Sequence, residues 1–300
     1  MISQKKHSLL THVVGLYRDL SPIRFGKAKL SKFALRNLGS DVVEAVTRDG
    51  CVFELHMPED DTWFSIYFDG TFETGTLDVM KKIIRKDDVV LDIGANLGWY
   101  SVNIAKLLPV SKIHAFEPVP NIFSKLRRHC ALNGVDAKVV LNRVALGDAD
   151  GTIELHTFPD LPHGHSSIST LGKTDYVTSV AKMVTLDSFL REHSVDTVDF
   201  IKMDVEGAEM LVLKGAESLL KRENAPIWVI ELNTETAKSF GHTPTDVLQT
   251  LVASQSYELF KVTSGWGAFT RMQSIDDYSN GDNAVCIPKC KADRLKGLID

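Results

Sequence analysis

The sequence predicts an α/β fold, a mainly parallel sheet with helices on both faces, and three observations carry that expectation. Short apolar runs of strand length recur (V-V-L-D-I, D-F-I-K-M-D, I-W-V-I-E), and their nearly continuous hydrophobicity suits strands buried on both faces. Stretches with helical periodicity separate most of them, the pattern of crossover units around a parallel sheet. The first run ends in a glycine turn that opens directly into an amphipathic segment, as a strand–turn–helix unit would.

In chain order, residues 50–67 alternate (C-V-F-E-L-H-M, W-F-S-I-Y-F) and suggest a small antiparallel leader. Core strands are expected at 88–93, 112–117, 137–142, 198–205 and 226–232. The intervening helices are expected at 97–108, at 121–132, where Asn133-Gly134 supplies a C-cap, and at 206–222. Residues 151–157 (G-T-I-E-L-H-T) alternate and form an added strand leading into F-P-D-L-P-H-G-H-S-S-I-S-T, residues 158–170. A long Pro-, Gly-, His- and Ser-rich loop inside a compact domain is often a lid or binding loop. After a helix at 247–253, residues 257–262 and 284–288 read as a terminal strand pair. The expected division is a basic helical segment and leader over 1–77, then the main domain over 78–292.

Composition is that of an ordinary globular protein, and no apolar run approaches the roughly 20 residues that span a bilayer. The N-terminal apolar patch is broken by His12, Arg18 and Asp19 and lacks a small-residue cleavage site, which argues against a signal peptide. The four cysteines, Cys51, Cys130, Cys286 and Cys290, form no C-x-x-C pair, and a reducing cytoplasmic setting is expected. Residues 1–40 carry +7, leaving −12 for the rest of a chain whose net charge is −5. A basic preface on an acidic body has two readings. It packs as a solvated helix through Leu9, Leu10, Val13 and Leu16, or it makes a peripheral contact with anionic lipid or glycan.

The glycine turn decides the nucleotide. A dinucleotide turn needs G-x-G-x-x-G, so that backbone can approach a pyrophosphate. Here the turn reads Gly94-Ala95-Asn96-Leu97-Gly98, with a side chain at the close-approach position and no third glycine. Asp92 adds negative charge where a phosphate would sit, and suits a cationic amino group instead. S-adenosylmethionine has no phosphate; it has a sulfonium, an amino-acid tail and an adenosine. Glu117, ending K-I-H-A-F-E-P, stands where an acid would clamp the ribose hydroxyls, and Pro118 fixes the turn after it.

With these parts in place the sequence resembles the FkbM-type family of S-adenosylmethionine-dependent methyltransferases. The matching stretches are V-V-L-D-I-G-A-N-L-G-W-Y-S (89–101), F-E-P-V-P (116–120), V-A-L-G-D-A-D-G (144–151), T-L-D (185–187), I-K-M-D-V-E-G-A-E-M-L-V-L-K-G (201–215) and W-V-I-E-L-N (228–233). They occur in order over about residues 65–290, and the set is specific where the glycine turn alone is not. The resemblance implies the Rossmann-like class I methyltransferase fold, seven mostly parallel strands with the final one inserted antiparallel. It implies O-methylation of a hydroxyl on a sugar, glycolipid, polysaccharide or polyketide-type acceptor. By this resemblance Asp92, Gly94, Asn96 and Gly98 surround the methionine part of the cofactor, Glu117 and Pro118 face the ribose, and Arg143 and Val144 approach the adenine.

Asp204, Glu206 and Glu231 are the candidate catalytic residues, because the carboxyl ends of strands are where open α/β sheets bind ligands. Asp204 is the first choice for orienting or deprotonating the acceptor hydroxyl. Glu206 has a plainer reading as a helix-start acid favoured by the dipole. A second mechanism would use magnesium on Asp204, Glu231 and Asn233, polarising the acceptor oxygen. His163 and His165 offer a general base from the loop, and Glu73 offers an acid lining the cleft. Two rivals remain: an N-methyltransferase acting on nucleic acid or a small molecule, and a scaffold that binds the cofactor without catalysis. The turn after Asp204 lacks the prolines of nucleic-acid amino-methyltransferases, and an acidic body opposes a phosphate backbone. The acids Asp92, Glu117 and Asp204 oppose the scaffold.

Overall fold

The computed structural model describes residues 13, 14, 16, 17, 29–31, 33, 34, 42–56, 60, 63–157, 166, 167, 175–262, 269–278 and 280–298. They fall into two compact units that divide between Phe72 and Glu73. The histidines at 163 and 165, most of the basic preface and most of the 158–170 loop lie outside the described residues.

In the first unit, β1 (Val42–Val46) and β2 (Val52–His56) form an antiparallel hairpin with Val42 opposite His56 and Val46 opposite Val52. Val43, Ala45, Phe53 and Leu55 alternate onto one face and are fully buried. The second half of the expected leader is a helix, α1 (Phe64–Asp69), not a strand. Its apolar positions 63, 64, 66 and 67 fit a helical face as well as they fit alternation. Gly70, in the left-handed conformation with its N–H returned to the Ile66 carbonyl, closes the turn as a helix end.

The second unit opens with α2 (Thr74–Ile83) and then winds through β3 (Val89–Ile93), α3 (Trp99–Leu107), β4 (Lys112–Phe116), α4 (Pro120–Asn133) and β5 (Val139–Asn142). A side branch follows, made of β6 (Ala145–Leu146), β7 (Gly151–Thr157), β8 (Ser166–Ser167) and β9 (Val177–Val184). The main path resumes with α5 (Leu186–Glu192), β10 (Phe200–Met203), α6 (Glu209–Lys214), α7 (Glu217–Leu220), β11 (Ile227–Glu231), α8 (Thr234–Ser239) and α9 (Pro244–Ser254). It ends with β12 (Tyr257–Val262), β13 (Phe269–Arg271), β14 (Asn283–Pro288) and a 3-10 segment, Lys289–Leu295.

The main sheet has the order β13-β12-β14-β11-β10-β3-β4-β5. Strands β11, β10, β3, β4 and β5 run parallel, and β14 inserts antiparallel between β11 and β12. This is the class I methyltransferase topology with one strand beyond the expected seven, the short antiparallel edge strand β13. One face of the sheet, with Leu91, Ile93, Phe116, Ile201, Met203, Trp228 and Ile230, packs into a core completed by Phe189, Val212, Leu219, Val247 and Leu251 of the covering helices.

Two expectations need correction here. The single helix over 206–222 is two short helices: Glu206 and Gly207 adopt left-handed backbone (φ 52° and 101°) and postpone the start of α6 to Glu209, and Gly215 and Ala216 interrupt it before α7. The strand 177–184 was not expected, and it gives Gly151–Thr157 its partner in a separate four-stranded sheet.

The terminal segment is riveted to the strand ends opposite the candidate site. Arg294 donates twice to Asp88, at 2.5 and 3.0 Å, and both residues are buried. Asp88 also accepts the Arg85 N–H at 2.9 Å, so its charge is fully engaged. Replacing Arg294 with methionine strands that carboxylate, and thermal unfolding should show a loss of about 3 kcal/mol. No helix among the described residues is long and apolar enough to cross a membrane.

Candidate functional site

The carboxyl ends of β3, β4, β10 and β11 converge on a cluster of acids around one buried cation. Along β10 the run F-I-K-M alternates, so Lys202 points to the α3 side while Ile201 and Met203 enter the main core. Lys202 is fully buried. In register it lies beside Asp92 of β3 and Val229 of β11. Its Nζ donates to Asn283 Oδ1 at 3.2 Å, lies 3.7 Å from Asp204 Oδ2, and sits 5.2 Å from the centre of the Tyr100 ring. Desolvation opposes this charge, but Asp204, Glu231, Glu73 and Asp92 outweigh it and raise the lysine above its ordinary value.

The glycine turn supplies the close approach. Gly94 has φ +81°, and a Cβ there would lie 1.8 Å from the carbonyl oxygen of Asp204. The turn and the β10 exit therefore touch backbone to backbone, tied further by the Asp204 N–H donating to the Ile93 carbonyl at 2.9 Å. Asn96, also left-handed at φ 50°, presents its N–H to Glu117 Oε2 at 3.1 Å. Gly98 caps α3.

Glu117 is buried, and its other oxygen accepts the Val119 N–H at 2.9 Å. Burial dominates over these two bonds and pushes the carboxyl up to about 7. Asp92 is likewise buried, and Oδ2 accepts both the Ser101 hydroxyl at 2.5 Å and the Ser101 N–H at 3.0 Å, which anchors the first turn of α3. Burial carries Asp92 up to about 6 against those bonds.

At the exit of β10, Asp204 keeps its side chain 31% exposed. Glu231 is raised well above the carboxylate range, first by the Asp204 charge and then by burial, and it hydrogen-bonds to Asp204. Glu73, at φ 41°, accepts the Tyr100 hydroxyl at 2.5 Å and is raised chiefly by burial. Glu206 occupies the left-handed turn after Asp204, half-buried, and its charge adds to the upward push on Glu73.

The structure therefore gathers Asp92, Gly94, Asn96, Glu117, Asp204, Glu231 and Glu73 at one end of the sheet, with Glu206 at its rim. Pro118 is half-buried beside Glu117; Arg143 is exposed just beyond β5, and Val144 packs against the main core. Lys202, Tyr100 and Asn283 were missed by sequence reasoning. The usable signal was a lysine two residues before Asp204 in an otherwise apolar strand, a position where an unpaired lysine is almost never buried.

The oxygen set expected to hold magnesium does not fit. Asn233 turns its Oδ1 to its own helix, accepting the N–H groups of Glu235 at 2.9 Å and Thr236 at 3.4 Å as the cap of α8. Glu231 and Asp204 are bonded to each other, and the Lys202 ammonium already lies beside Asp204. Among the described residues no group of three or more His, Cys, Asp and Glu side chains is arranged around a common metal position.

Sheet order, inserted antiparallel strand and glycine turn define a class I methyltransferase domain. Residues 92–259 match the family described as the methyltransferase FkbM domain, and the chain belongs to that family. It is 33% identical over 149 residues to Methyltransferase 1 of Beauveria bassiana, covering 44% of this chain and 59% of that protein. It is 28% identical over 153 residues to the hexuronic acid methyltransferase AglP of Haloferax volcanii, covering 50% and 60%. It is 29% identical over 167 residues to the 2-O-methyltransferase NoeI of Sinorhizobium fredii, covering 50% and 67%. The chain spans about three fifths of the length of the first two of these relatives.

Proposed function

We propose that this protein is an S-adenosylmethionine-dependent O-methyltransferase whose acceptor is a hydroxyl of a sugar, glycolipid, polysaccharide or polyketide-type molecule. The observation that carries this reading is the buried Glu117 carboxylate held over the Asn96 turn, with the partly exposed Asp204 at the end of β10, on the other side of β3. Glu117 takes the ribose diol, and Gly94, Asn96 and Gly98 leave room for the methionine portion. Asp92 holds the start of α3 through Ser101 and adds negative potential under the amino group and sulfonium. Arg143 and Val144, just beyond β5, border the adenine. The names of two relatives, a hexuronic acid methyltransferase and a 2-O-methyltransferase, support a hydroxyl-bearing carbohydrate acceptor.

The chemistry is an in-line displacement. The acceptor oxygen forms a bond to the methyl carbon while the carbon–sulfur bond breaks, and its electron pair stays on sulfur as S-adenosylhomocysteine leaves. Asp204 accepts the hydroxyl proton and passes it to solvent. Because the methyl group is already activated, alignment supplies most of the rate and base assistance a smaller share.

The test is formation of S-adenosylhomocysteine with a panel of uronic acids, uronic-acid glycosides and hydroxylated macrolactones. Asp204→Asn should lower kcat about a hundredfold on any acceptor that turns over, with cofactor affinity retained. Equal turnover by Asp204→Asn would remove Asp204 from the mechanism.

A further inference from the structure

We propose that Lys202 is the resident cation of this site, doing with an ammonium the charge neutralisation that a divalent metal would otherwise do. Acids carried by four elements lie around the lysine: Glu73 ahead of α2, Asp92 on β3, Asp204 after β10 and Glu231 on β11, with Glu206 at the rim beside Glu73. The Tyr100 hydroxyl is already committed to Glu73, and Asn283 presents its Oδ1 to the lysine. Lys202 is the positive group that faces all of these carboxylates except Glu206 directly, and it is fully buried. A lysine is buried in this way only when its charge is matched.

Its placement does what a metal would do for the acceptor side. From 3.7 Å its positive charge stands beside Asp204 and offsets the negative field of Glu231 and Glu73 there. Its bond to Asn283 fixes the ammonium between β10 and β14, and the Tyr100 ring flanks it. The displacement of Asn233 into a helix cap agrees, since the third oxygen ligand of a metal site is spent elsewhere. Lys202 is a positioning residue that acts through Asp204, and this role rests on the methyltransferase reading.

Two measurements test it, neither requiring the acceptor. In the first, thermal midpoints of the wild type, Lys202→Met and Lys202→Arg are compared from pH 5.5 to pH 8. Without the cation, the carboxylates keep their protons in the folded state, so folding holds more protons than unfolding and stability falls as pH rises. The gap between wild type and Lys202→Met should widen by about 5 °C across that range, and Lys202→Arg should keep it narrow. A gap independent of pH would show that Lys202 only fills space.

In the second, wild-type protein is titrated with Mn2+ and the free-ion signal followed by electron paramagnetic resonance. Undiminished free Mn2+ at millimolar concentration is expected. A one-to-one loss of signal that Asp204→Asn restores would overturn the proposal even if Lys202→Met fails to fold. S-adenosylmethionine titration of the wild type separates the two readings: absent cofactor binding sinks the methyltransferase assignment, whereas a pH-independent gap sinks only the role of Lys202.

Discussion

Replacing Glu117 with alanine is expected to weaken S-adenosylmethionine binding by about a hundredfold or more, with the fold retained. Two hydroxyl-to-carboxylate hydrogen bonds are lost, each contributing about 1.5–3 kcal/mol. The position is also hard to replace from outside. Glu117 is held from both sides by the N–H groups of Asn96 and Val119, so the carboxylate is pre-oriented before the cofactor arrives. Burial makes the ligand-free carboxylate costly at neutral pH. A ribose diol and a nearby sulfonium relieve that cost, so the residue trades apo stability for cofactor affinity. Calorimetry on Glu117→Ala, with circular dichroism to confirm folding, checks this. Affinity within threefold of wild type would remove Glu117 from the ribose site.

The second large effect is expected at Gly94. In Gly94→Ala the new methyl would lie 1.8 Å from the Asp204 carbonyl oxygen and 2.8 Å from its carbonyl carbon. Both are backbone atoms at a strand end, so neither can swing aside. Alanine must also adopt φ +81°. Gly134, at φ +65° with nothing within 4 Å of the position a Cβ would take, carries the conformational penalty alone. Gly134→Ala should therefore cost about 1 kcal/mol, and Gly94→Ala at least about 3 kcal/mol, a fall of roughly 10 °C in thermal midpoint. The displaced Asp204 should also lose its alignment, so any folded fraction should be inactive. Equal midpoints for the two variants would contradict the close contact between the turn and the β10 exit.

The parallel core was legible because its strands are buried on both faces and write themselves as apolar runs. V-V-L-D-I and I-W-V-I-E could hardly fold otherwise, and β3 and β11 lie within one residue of the expected bounds. The inserted terminal strand was legible too, through the family resemblance and the strand-like runs at 257–262 and 284–288. Elsewhere the signal was ambiguous. W-F-S-I-Y-F satisfies helical and alternating periods together, and only tertiary packing chose α1. The strand Val177–Val184 follows a stretch of mixed polarity and is exposed along much of one face, so it lacked a core pattern. At the site, the acids announced themselves by their positions at strand ends. Lys202 did not, because its role depends on carboxylates from four separate elements that only folding brings together.

Calorimetric titration of the wild type with S-adenosylmethionine at pH 8 and pH 6.5 tests the cofactor site. The carboxyl of Glu117 sits near 7 without ligand, and hydrogen bonding to its charged form lowers it on binding. Binding should therefore release a proton at pH 6.5, tighten as pH rises from about 5.5 to about 7.5, and level off above that. One site per chain is expected, with affinity in the micromolar range at pH 8 and buffer-dependent heats at pH 6.5 that report the released proton. No binding at tens of micromolar cofactor, or binding that ignores both pH and the loss of Glu117, would contradict the assignment of that site.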